Sequence, residues 1–397
     1  MDIQLSRRVQ AIKPSPTLAV TNRAAQLKAE GKDIIGLGAG EPDFDTPQHI
    51  KDAAIAAING GQTKYTAVDG TPALKKAIID KFKRENGLDY QANQILVSCG
   101  GKQSFFNLAL ALLNEGDEVI IPAPYWVSYP DMVIIADAVP VIVETSDKTR
   151  FKMLPEQLEA AITARTRFVV INSPSNPTGM HYTDEELLAL GEVLRKHPSV
   201  MVVTDDMYEH VRWDRSKPFK NILNLCPDLY ERTFVLNGVS KAYSMTGWRI
   251  GYAAGPVKAI NAMKNVQSQS TSNPTSISQA AAVAALNGSQ DFIDMMVTEF
   301  KKRHDFVVAA LNDMPGVSCL PVDGTFYAFP NFQGVIDASP TLNNDLDLAE
   351  FLLKEAEVAM VPGSAFGLEG YLRLSFATSM KNLEQAMERI ARVLKKG

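Results

Sequence analysis

Short runs of aliphatic and β-branched residues recur along the chain and alternate with amphipathic stretches. The short runs are almost continuously apolar, which is typical of strands covered on both faces of a parallel sheet. The predicted strands are residues 95–98, 118–121, 139–143, 168–172, 200–204, 234–237 and 250–254. The predicted helices among them are residues 48–59, 71–85, 103–113, 155–163 and 183–196. The pattern predicts an α/β fold with a mostly parallel, seven-stranded sheet.

The pattern changes after a long helical stretch at residues 290–311. The elements predicted beyond it are strands at 317–320, 325–329 and 371–377 and helices at 345–355 and 382–395. Strands clustered with helices indicate a smaller α+β domain. We therefore expect an N-terminal arm and part of the small domain at 1–47, a large domain at 48–290 and a small C-terminal domain at 291–397. Residues 13–17 are predicted to be extended, because a proline disfavours helix in the residue before it.

Composition and charge exclude several classes of protein. Of the 397 residues, 46% are hydrophobic and 21% are charged, so a disordered or fibrous chain is excluded. Lys and Arg number 40 against 45 Asp and Glu, a formal charge of −5. Without a basic cluster, this balance argues against binding to nucleic acid. At about 150 residues per domain, the length predicts two or three domains.

No targeting peptide, membrane span or metal site is predicted. The first residues have no apolar core, and prolines and aspartates interrupt the most apolar stretch, residues 119–143. The scattered Cys99, Cys226 and Cys319 form no disulfide framework, which favours a reducing cytoplasm. The five histidines show no metal-ligand spacing.

Candidate chemistry lies where predicted strands end, because α/β sheets bind ligands beyond the carboxyl ends of their strands. Gly100 and Gly101 begin a helix, where backbone N–H groups bind an anion, although a Gly-Gly pair also makes a plain turn. Residues 172–179, rich in Asn, Pro and Gly, follow the next candidate strand and also suit a rigid turn.

Two further segments carry charge. Asp205 and Asp206 follow a strand, where acids also cap helices, and Lys241 and Arg249 taken singly read as solvated charges. Together the segments supply an amine, an acid, an asparagine, a phenol, an arginine and an anion-binding helix start. Pyridoxal phosphate requires this set: an amine to bind it covalently, an acid for its pyridine nitrogen, donors for its ring oxygen and an anion site.

The segment from Gly238-Val239-Ser240-Lys241 through Arg249-Ile250-Gly251 resembles the lysine signature of class I aminotransferases, which are fold type I pyridoxal-phosphate enzymes. Residues 40–44, 176–179 and 205–208 resemble further motifs of that family in the same order. The resemblance extends to Arg373 and covers essentially the whole chain. Residues 13–17, 100–103 and 124–130 resemble the bacterial aspartate aminotransferase subgroup that often also accepts prephenate.

The resemblance implies roles for individual residues. Lys241 is expected to form the Schiff base and to move a proton between the substrate Cα and the cofactor. The other implied cofactor contacts are Asp205 at the pyridine nitrogen, Asn176 and Tyr208 at the ring hydroxyl, Gly101, Lys102, Ser240 and Arg249 at the phosphate, and Trp126 on the ring. Gly238 stands where the family often has a phosphate-binding serine, so one contact is expected to be missing. Core packing is the alternative for Trp126.

The substrate and a second subunit are also implied. Arg373 is expected to bind the substrate α-carboxylate, with Gly40, Asn176 and Trp126 beside the substrate. The remaining implied residues are Lys102 and Lys13 for a distal carboxylate and Tyr65 for the phosphate of a neighbouring subunit. A solvated arm lysine is the alternative for Lys13. The role of Tyr65 implies a homodimer.

The expected activity is ping-pong transamination between L-aspartate plus 2-oxoglutarate and oxaloacetate plus L-glutamate, with prephenate to arogenate as a second reaction. One alternative is an aminotransferase for aromatic or many amino acids, and another is a lyase or synthase of the same fold. A non-enzymatic alternative is the effector domain of a transcription regulator. That alternative requires a fused DNA-binding module, and only about 40 residues precede the catalytic block.

Overall fold

A seven-stranded sheet with helices on both faces forms the centre of the computed structural model, which describes residues 3–14 and 16–395. The strands are β1 (Ile35–Gly36), β2 (Ile95–Ser98), β3 (Glu118–Ala123), β4 (Val139–Glu144), β5 (Thr166–Asn172), β6 (Met201–Asp205), β7 (Thr233–Gly238), β8 (Gly251–Ala254), β9 (Tyr327–Ala328), β10 (Val358–Ala359), β11 (Val361–Pro362) and β12 (Leu372–Ser375). Most of these strands are joined by helices, which is typical of an α/β fold.

The helices cover the sheet and extend the chain on either side of it. They are α1 (Arg7–Ala11), α2 (Pro16–Ala29), α3 (Gln48–Asn59), α4 (Pro72–Lys81), α5 (Gly101–Leu112), α6 (Ser128–Ile135), α7 (Pro155–Ala161), α8 (Asp184–Lys196), α9 (Ile222–Leu225), α10 (Val257–Ser268), α11 (Ser276–Asn287), α12 (Asp291–Asn312), α13 (Gln333–Ala338), α14 (Asp345–Phe351) and α15 (Met380–Leu394). A π-helical turn extends α4 over Phe82–Asn86 and another extends α14 over Leu352–Ala356. Each helix in the described part of the chain is too short or too polar to cross a lipid bilayer.

The large sheet has the strand order β2-β8-β7-β6-β5-β3-β4, in which β8 runs antiparallel to β2 and β7 and the other neighbouring pairs are parallel. Side chains along a strand point alternately to opposite faces. In β5, Val169 and Ile171 pack into one hydrophobic cluster, whereas Phe168 and Val170 pack into another. Because both faces are covered, the strands are apolar throughout. The predicted mostly parallel, seven-stranded α/β sheet is confirmed.

Two smaller sheets lie outside the large one. Strand β1 pairs in parallel with β10, and β11, β12 and β9 form an antiparallel sheet. The last helix, α15, begins where Ser379 Oγ accepts the backbone N–H of Asn382 at 3.2 Å. Its buried positions lie three, four, seven and ten residues after the first and so share one face of the helix: Leu383, Ala386, Met387, Ile390 and Val393. The domain boundaries after residues 47 and 290 stay predictions.

One predicted strand, residues 317–320, is wrong. The described chain has a single bridge there, between Ser318 and Asn331. The side chain of Asn312 accepts the N–H of Cys319 at 2.9 Å and donates to its carbonyl at 3.0 Å. A side chain therefore satisfies the backbone groups that a neighbouring strand would otherwise have bonded.

The prediction that residues 13–17 are extended is partly wrong. Lys13 and Pro14 are not helical, but Pro16 and Thr17 form the first turn of α2. Proline favours the first turn of a helix because its missing N–H would have no helical partner there. Ser15 lies outside the described residues.

A buried ion pair supports the sheet edge at which the candidate residues lie. Lys81 is completely buried at the end of α4, and its ammonium contacts the carboxylate of Glu209. The side-chain amides of Asn86 and Asn237 donate to Glu209 at 2.7 and 2.8 Å. Because Glu209 follows Tyr208 and Asn237 lies near the end of β7, this network ties α4 to two segments of the candidate site.

We expect Lys81→Met to lower the free energy of unfolding by about 3–5 kcal/mol, since it removes the ammonium that contacts the buried carboxylate of Glu209. Urea denaturation of the cofactor-free protein, followed by circular dichroism, measures the change.

Lys76→Met is the matched control in the same helix. Lys76 pairs with Asp80 at 2.5 Å, but both side chains are exposed, and such pairs contribute little to stability. A Lys81→Met variant that unfolds at the same urea concentration as Lys76→Met would contradict the structural role of the buried pair.

Candidate active site

The carboxyl ends of the central strands lie together at one edge of the large sheet. There β5 ends at Asn172, β6 at Asp205 and β7 at Gly238. Gly251, the first residue of β8, pairs with Gly238 on one side and with Ser98, the end of β2, on the other. The chain turns from Ser98 into α5 within three residues. The predicted residues that follow these strands therefore share one edge, the common ligand-binding position in α/β sheets.

Lys241 lies three residues beyond β7, and its ammonium Nζ donates a hydrogen bond to the carbonyl of Gly40. The same nitrogen is 6.0 Å from the centre of the Tyr208 ring. Desolvation lowers the pKa of Lys241 to about 8, and the positive charge of Arg373 adds to this effect. An amine with this pKa is partly neutral near pH 7 and so acts as a nucleophile or base.

Asp205 is a buried acid at the end of β6. Its Oδ2 accepts the hydroxyl of Tyr129 at 2.5 Å, and its Oδ1 accepts the backbone N–H of Met207 at 3.2 Å. Burial raises the pKa of this carboxyl, while the hydrogen bonds from Tyr129 and Met207 act in the opposite direction. A cationic ring nitrogen beside it would compensate the cost of burying its negative charge.

Arg373 in β12 places a buried guanidinium at the same site. Its Nη1 donates to Asn176 Oδ1 at 3.0 Å and its Nη2 to the carbonyl of Gly38 at 2.7 Å. The guanidinium lies over the rings of Tyr327 and Phe366, at 4.5 and 5.0 Å from their centres. Within residues 3–14 and 16–395, its buried Nε has no hydrogen-bond partner and no carboxylate pairs with it. The group suits an external carboxylate.

Tyr327 joins these residues into one cluster. Its hydroxyl is 2.9 Å from the hydroxyl of Tyr208. A Cβ added to Gly40 would lie 3.2 Å from the same oxygen. Tyr327 therefore connects Gly40, which binds Lys241, with Tyr208 and Arg373.

The start of α5 and the Arg249 guanidinium form a cradle whose charge suits an anion. Gly100 has a φ of +88°, and a Cβ added to it would lie 2.1 Å from Nη2 of Arg249. The Arg249 guanidinium donates to two backbone carbonyls at 2.9 and 3.3 Å. Gly101 and Lys102 form the first turn of α5, where N–H groups lack helical partners. Free N–H groups, a helix N-terminus and a guanidinium together favour a phosphate.

Gly238, which stands where the family often has a phosphate-binding serine, has little space for a side chain. A Cβ added there would lie 3.0 Å from the carbonyl of Ile250 and 3.1 Å from the Met207 methyl. A larger residue therefore requires small shifts of the backbone at Ile250 and Gly251 and of the Met207 side chain. Ser240, the other predicted hydroxyl in this segment, is buried immediately before Lys241.

Trp126 and Lys102 form one wall of the site. Lys102 Nζ lies 5.3 Å from the centre of the Trp126 ring, whose edge packs on Tyr129 with centroids 5.1 Å apart. The pKa of Lys102 is lowered by desolvation and by the charge of Arg249. The contacts of Trp126 are compatible with both predicted roles, packing in the core and stacking on the cofactor ring, because it packs against a core residue and also faces a cation of the site.

Two predicted residues lie apart from this cluster. The Tyr65 side chain is 93% exposed in the single chain. Lys13 is exposed, and its backbone N–H donates to Asp131 in α6 at 3.3 Å. Across the described residues, no side-chain contact joins either of them to the other predicted site residues.

Sequence reasoning missed Tyr129, Tyr327 and Met207. Tyr129 lies within residues 124–130, which carried a resemblance, but nothing local identified its partner 76 residues away. Tyr327 lies in a predicted strand and meets Tyr208 across 119 residues. Met207 lies inside the motif at residues 205–208, but no role is predicted for it from the sequence.

The chain matches the family described as aminotransferase class I and II over residues 32–390. It belongs to this family. The predicted resemblance is thereby confirmed, and membership implies pyridoxal phosphate as the cofactor.

Named relatives and solved structures cover the chain almost completely. It is 62% identical over 397 residues to the aspartate/prephenate aminotransferase of Nitrosomonas europaea, covering 99% of this chain and 100% of that protein. It is 55% identical to that of Cereibacter sphaeroides, over 97% of each chain. The aspartate aminotransferase structure from Rhizobium meliloti has a TM-score of 0.95, 51% identity and 99% coverage of both chains. That from Thermus thermophilus with maleate has a TM-score of 0.92 and 44% identity, covering 99% of this chain and all of that one.

The residues present fit pyridoxal phosphate. Lys241 is an amine of lowered pKa, Asp205 is a buried acid, and the cradle at Gly100 would be filled by a single added Cβ. An aldehyde, a pyridine nitrogen and a phosphate are the three groups these features suit.

We expect Gly100→Ala to weaken pyridoxal phosphate binding about tenfold or more, roughly 1.4 kcal/mol, because the new methyl displaces Arg249 from the cradle. Titration of the cofactor-free protein, followed by tryptophan fluorescence, measures the dissociation constant.

Gly116→Ala controls for backbone strain, since Gly116 also has a positive φ, +80°, but no atom within 4 Å of an added Cβ. Equal dissociation constants for the two alanine variants would argue against the cradle.

Proposed function

We propose that this chain is a pyridoxal-phosphate-dependent aminotransferase that exchanges amino groups between L-aspartate and 2-oxoglutarate by a ping-pong mechanism, and that it also converts prephenate to arogenate. The observation that carries the proposal is the buried guanidinium of Arg373, which lacks a carboxylate partner among the described residues, beside the lowered-pKa amine of Lys241. The names of the relatives from Nitrosomonas europaea and Cereibacter sphaeroides support this choice of substrates.

Lys241 is the proposed catalytic residue. When bound, pyridoxal phosphate supplies an electron-withdrawing ring that stabilises negative charge on the substrate Cα. Lys241 Nζ would hold the cofactor covalently and would move the proton at the substrate Cα. The carbonyl of Gly40 orients this nitrogen, and a pKa of about 8 lets it both take up and release a proton near neutral pH.

Three side chains are proposed to hold the cofactor ring. Asp205 binds the pyridine nitrogen, which its burial and its lack of an ion-pair partner in the described chain support. Asn176 and Tyr208 bind the ring hydroxyl. Their contacts with Arg373 and Tyr327 support this role, because these contacts hold both side chains in one orientation.

The phosphate is proposed to bind at the start of α5. Backbone N–H groups of Gly101 and Lys102, the Ser240 hydroxyl and the Arg249 guanidinium are its ligands. Trp126 stacks on the cofactor ring. The close approach of Gly100 and Arg249 supports this assignment, since the Arg249 guanidinium can lie beside the start of α5 only while residue 100 lacks a side chain.

Arg373 is proposed to bind the substrate α-carboxylate, together with Asn176 and the backbone of Gly40. Its planar guanidinium can donate two parallel hydrogen bonds to a carboxylate. Tyr327 and Phe366 hold the guanidinium plane in position.

Lys102 and Lys13 are proposed to bind the distal carboxylate of the substrate. Lys102 Nζ lies over the ring of Trp126, which supports a position beside the proposed cofactor site. The N–H of Lys13 is anchored to Asp131 in α6, two residues after Tyr129, and this supports a position of the arm near the substrate. The Thermus thermophilus structure described with maleate, a dicarboxylate, supports two cationic carboxylate sites.

The proposed enzyme is a cytoplasmic homodimer. The exposure of the Tyr65 ring supports a role at the phosphate of the partner subunit. Cys99, Cys226 and Cys319 are free thiols, which supports a reducing compartment.

Half-reactions test the proposed function directly. The loaded enzyme is mixed with one amino acid and no 2-oxo acid, and the loss of visible absorbance of the lysine-bound cofactor is followed. We expect aspartate, glutamate and arogenate to react with a kcat/KM about 100-fold above that of alanine or tyrosine, because only the first three carry a second carboxylate for a lysine.

Three variants sharpen this test. Lys102→Met and Lys13→Met are expected to lower the kcat/KM for aspartate more than that for alanine. Lys241→Ala is expected to show neither the visible absorbance of the lysine-bound cofactor nor the half-reaction. Alanine or tyrosine reacting faster than aspartate would contradict the distal-lysine assignment. Continuous consumption of an amino acid without any 2-oxo acid would identify a lyase instead.

A further inference from the structure

Tyr129 makes the shortest contact of the buried acid Asp205. Its hydroxyl donates to Asp205 Oδ2 at 2.5 Å, and both side chains lie in the core. The tyrosine comes from the first turn of α6 and the acid from the end of β6. No role in the reaction described above uses this contact.

The ring of Tyr129 is fixed in position by its neighbours. Phe105 in α5 packs on it with centroids 4.9 Å apart, and Trp126 packs edge-on at 5.1 Å. The hydroxyl therefore points at Asp205 without a free choice of rotamer, so forming the hydrogen bond costs little side-chain entropy.

We propose that Tyr129 is a positioning residue for Asp205: its hydroxyl fixes the rotation of the carboxylate and favours its ionised form, so that the acid keeps the cofactor's ring nitrogen protonated. This inference rests on the proposed function, because it assigns the partner of Asp205 as the pyridine nitrogen.

The hydrogen bonds to both oxygens of Asp205 support a carboxylate that is fixed in rotation. Oδ2 is bound to Tyr129 and Oδ1 to the N–H of Met207, so the two oxygens are held by donors from different segments. Each carboxylate oxygen accepts a second hydrogen bond, which leaves acceptor capacity for a ligand. Without the Tyr129 hydroxyl, rotation of the carboxylate is opposed at one oxygen only.

The electrostatic surroundings point the same way. The groups that act on Asp205 are Tyr129 from α6, Met207 and Tyr208 beyond β6, and Lys241 beyond β7. Burial raises the pKa of Asp205, and the hydrogen bond of Tyr129 opposes that shift. Burial also raises the pKa of Tyr129 well above its usual value, so the phenol remains a neutral donor at every working pH.

Tyr129→Phe in the loaded enzyme tests the proposal. A protonated ring nitrogen lowers the proton affinity of the rest of the conjugated cofactor. If Tyr129→Phe reduces this protonation, the pH at which the visible absorbance is half-changed in a titration (the pH midpoint) is expected to rise by about 0.5 pH unit or more. The kcat with aspartate and 2-oxoglutarate is expected to fall about tenfold, while the KM for aspartate, which depends on Arg373, changes less than about twofold.

Tyr182→Phe is the matched control. Tyr182 is also buried, and its hydroxyl accepts a hydrogen bond from the N–H of Met153 at 2.8 Å rather than contacting Asp205. Both variants lose one buried hydroxyl and are expected to lose similar stability, but only Tyr129→Phe should shift the pH midpoint. Equal midpoints in the two variants would overturn the proposal.

A double-mutant cycle with Asp205→Asn separates positioning from general damage. If Tyr129 acts through Asp205, Tyr129→Phe shifts the midpoint no further in the Asp205→Asn background. Additive shifts would overturn the proposal. Failure of the wild-type enzyme to bind pyridoxal phosphate or to transaminate aspartate would instead contradict the proposed function.

Discussion

Charged side chains at the edge of the large sheet are buried, although no oppositely charged side chain of the described residues forms an ion pair with them. Within the described residues, Arg373 and Asp205 are buried without an ion-pair partner, and Lys241 is desolvated enough for its pKa to fall to about 8. Each arrangement is unfavourable by itself, because desolvation penalises charge. On the proposed function, a ring nitrogen and a substrate carboxylate would supply the counter-charges of Asp205 and Arg373, and the site would be complementary to cofactor and substrate rather than to water.

The fold supports these groups by packing and by neutral donors. The strand ends at Asp205 and Gly238 are held by the buried network of Lys81 and Glu209, which lies outside the site itself. Within the site, the Tyr129 hydroxyl donates to Asp205, and the Tyr327 ring packs against the Arg373 guanidinium, so both tyrosines contact charged residues without neutralising them. Such preorganisation is favourable for catalysis, because the dipoles need no rearrangement when charge develops.

Much of this arrangement can be predicted from the sequence, and there is a physical reason why the remainder cannot. The covered sheet is predictable because its strands are apolar on both faces, and Lys241 and Asp205 stand out because they lie in contiguous motifs at strand ends. Tyr129 and Tyr327 meet their partners through tertiary packing across 76 and 119 residues, which no local spacing records. The absent strand at 317–320 depends on one side chain, Asn312, which competes for backbone groups that a strand would use.

The stability of cofactor-free Lys241→Met against pH tests the cost of the unpaired charge most directly. Because the folded pKa of about 8 lies below the unfolded value of about 10.4, the unfolded chain binds more protons between these limits. Lysine at this position therefore destabilises the fold below pH 8 and ceases to do so above about pH 10. We predict that Lys241→Met exceeds the cofactor-free wild type by about 2–3 kcal/mol in free energy of unfolding at pH 7, and that this advantage disappears near pH 10. A variant less stable than wild type by the same amount at both pH values would contradict the account.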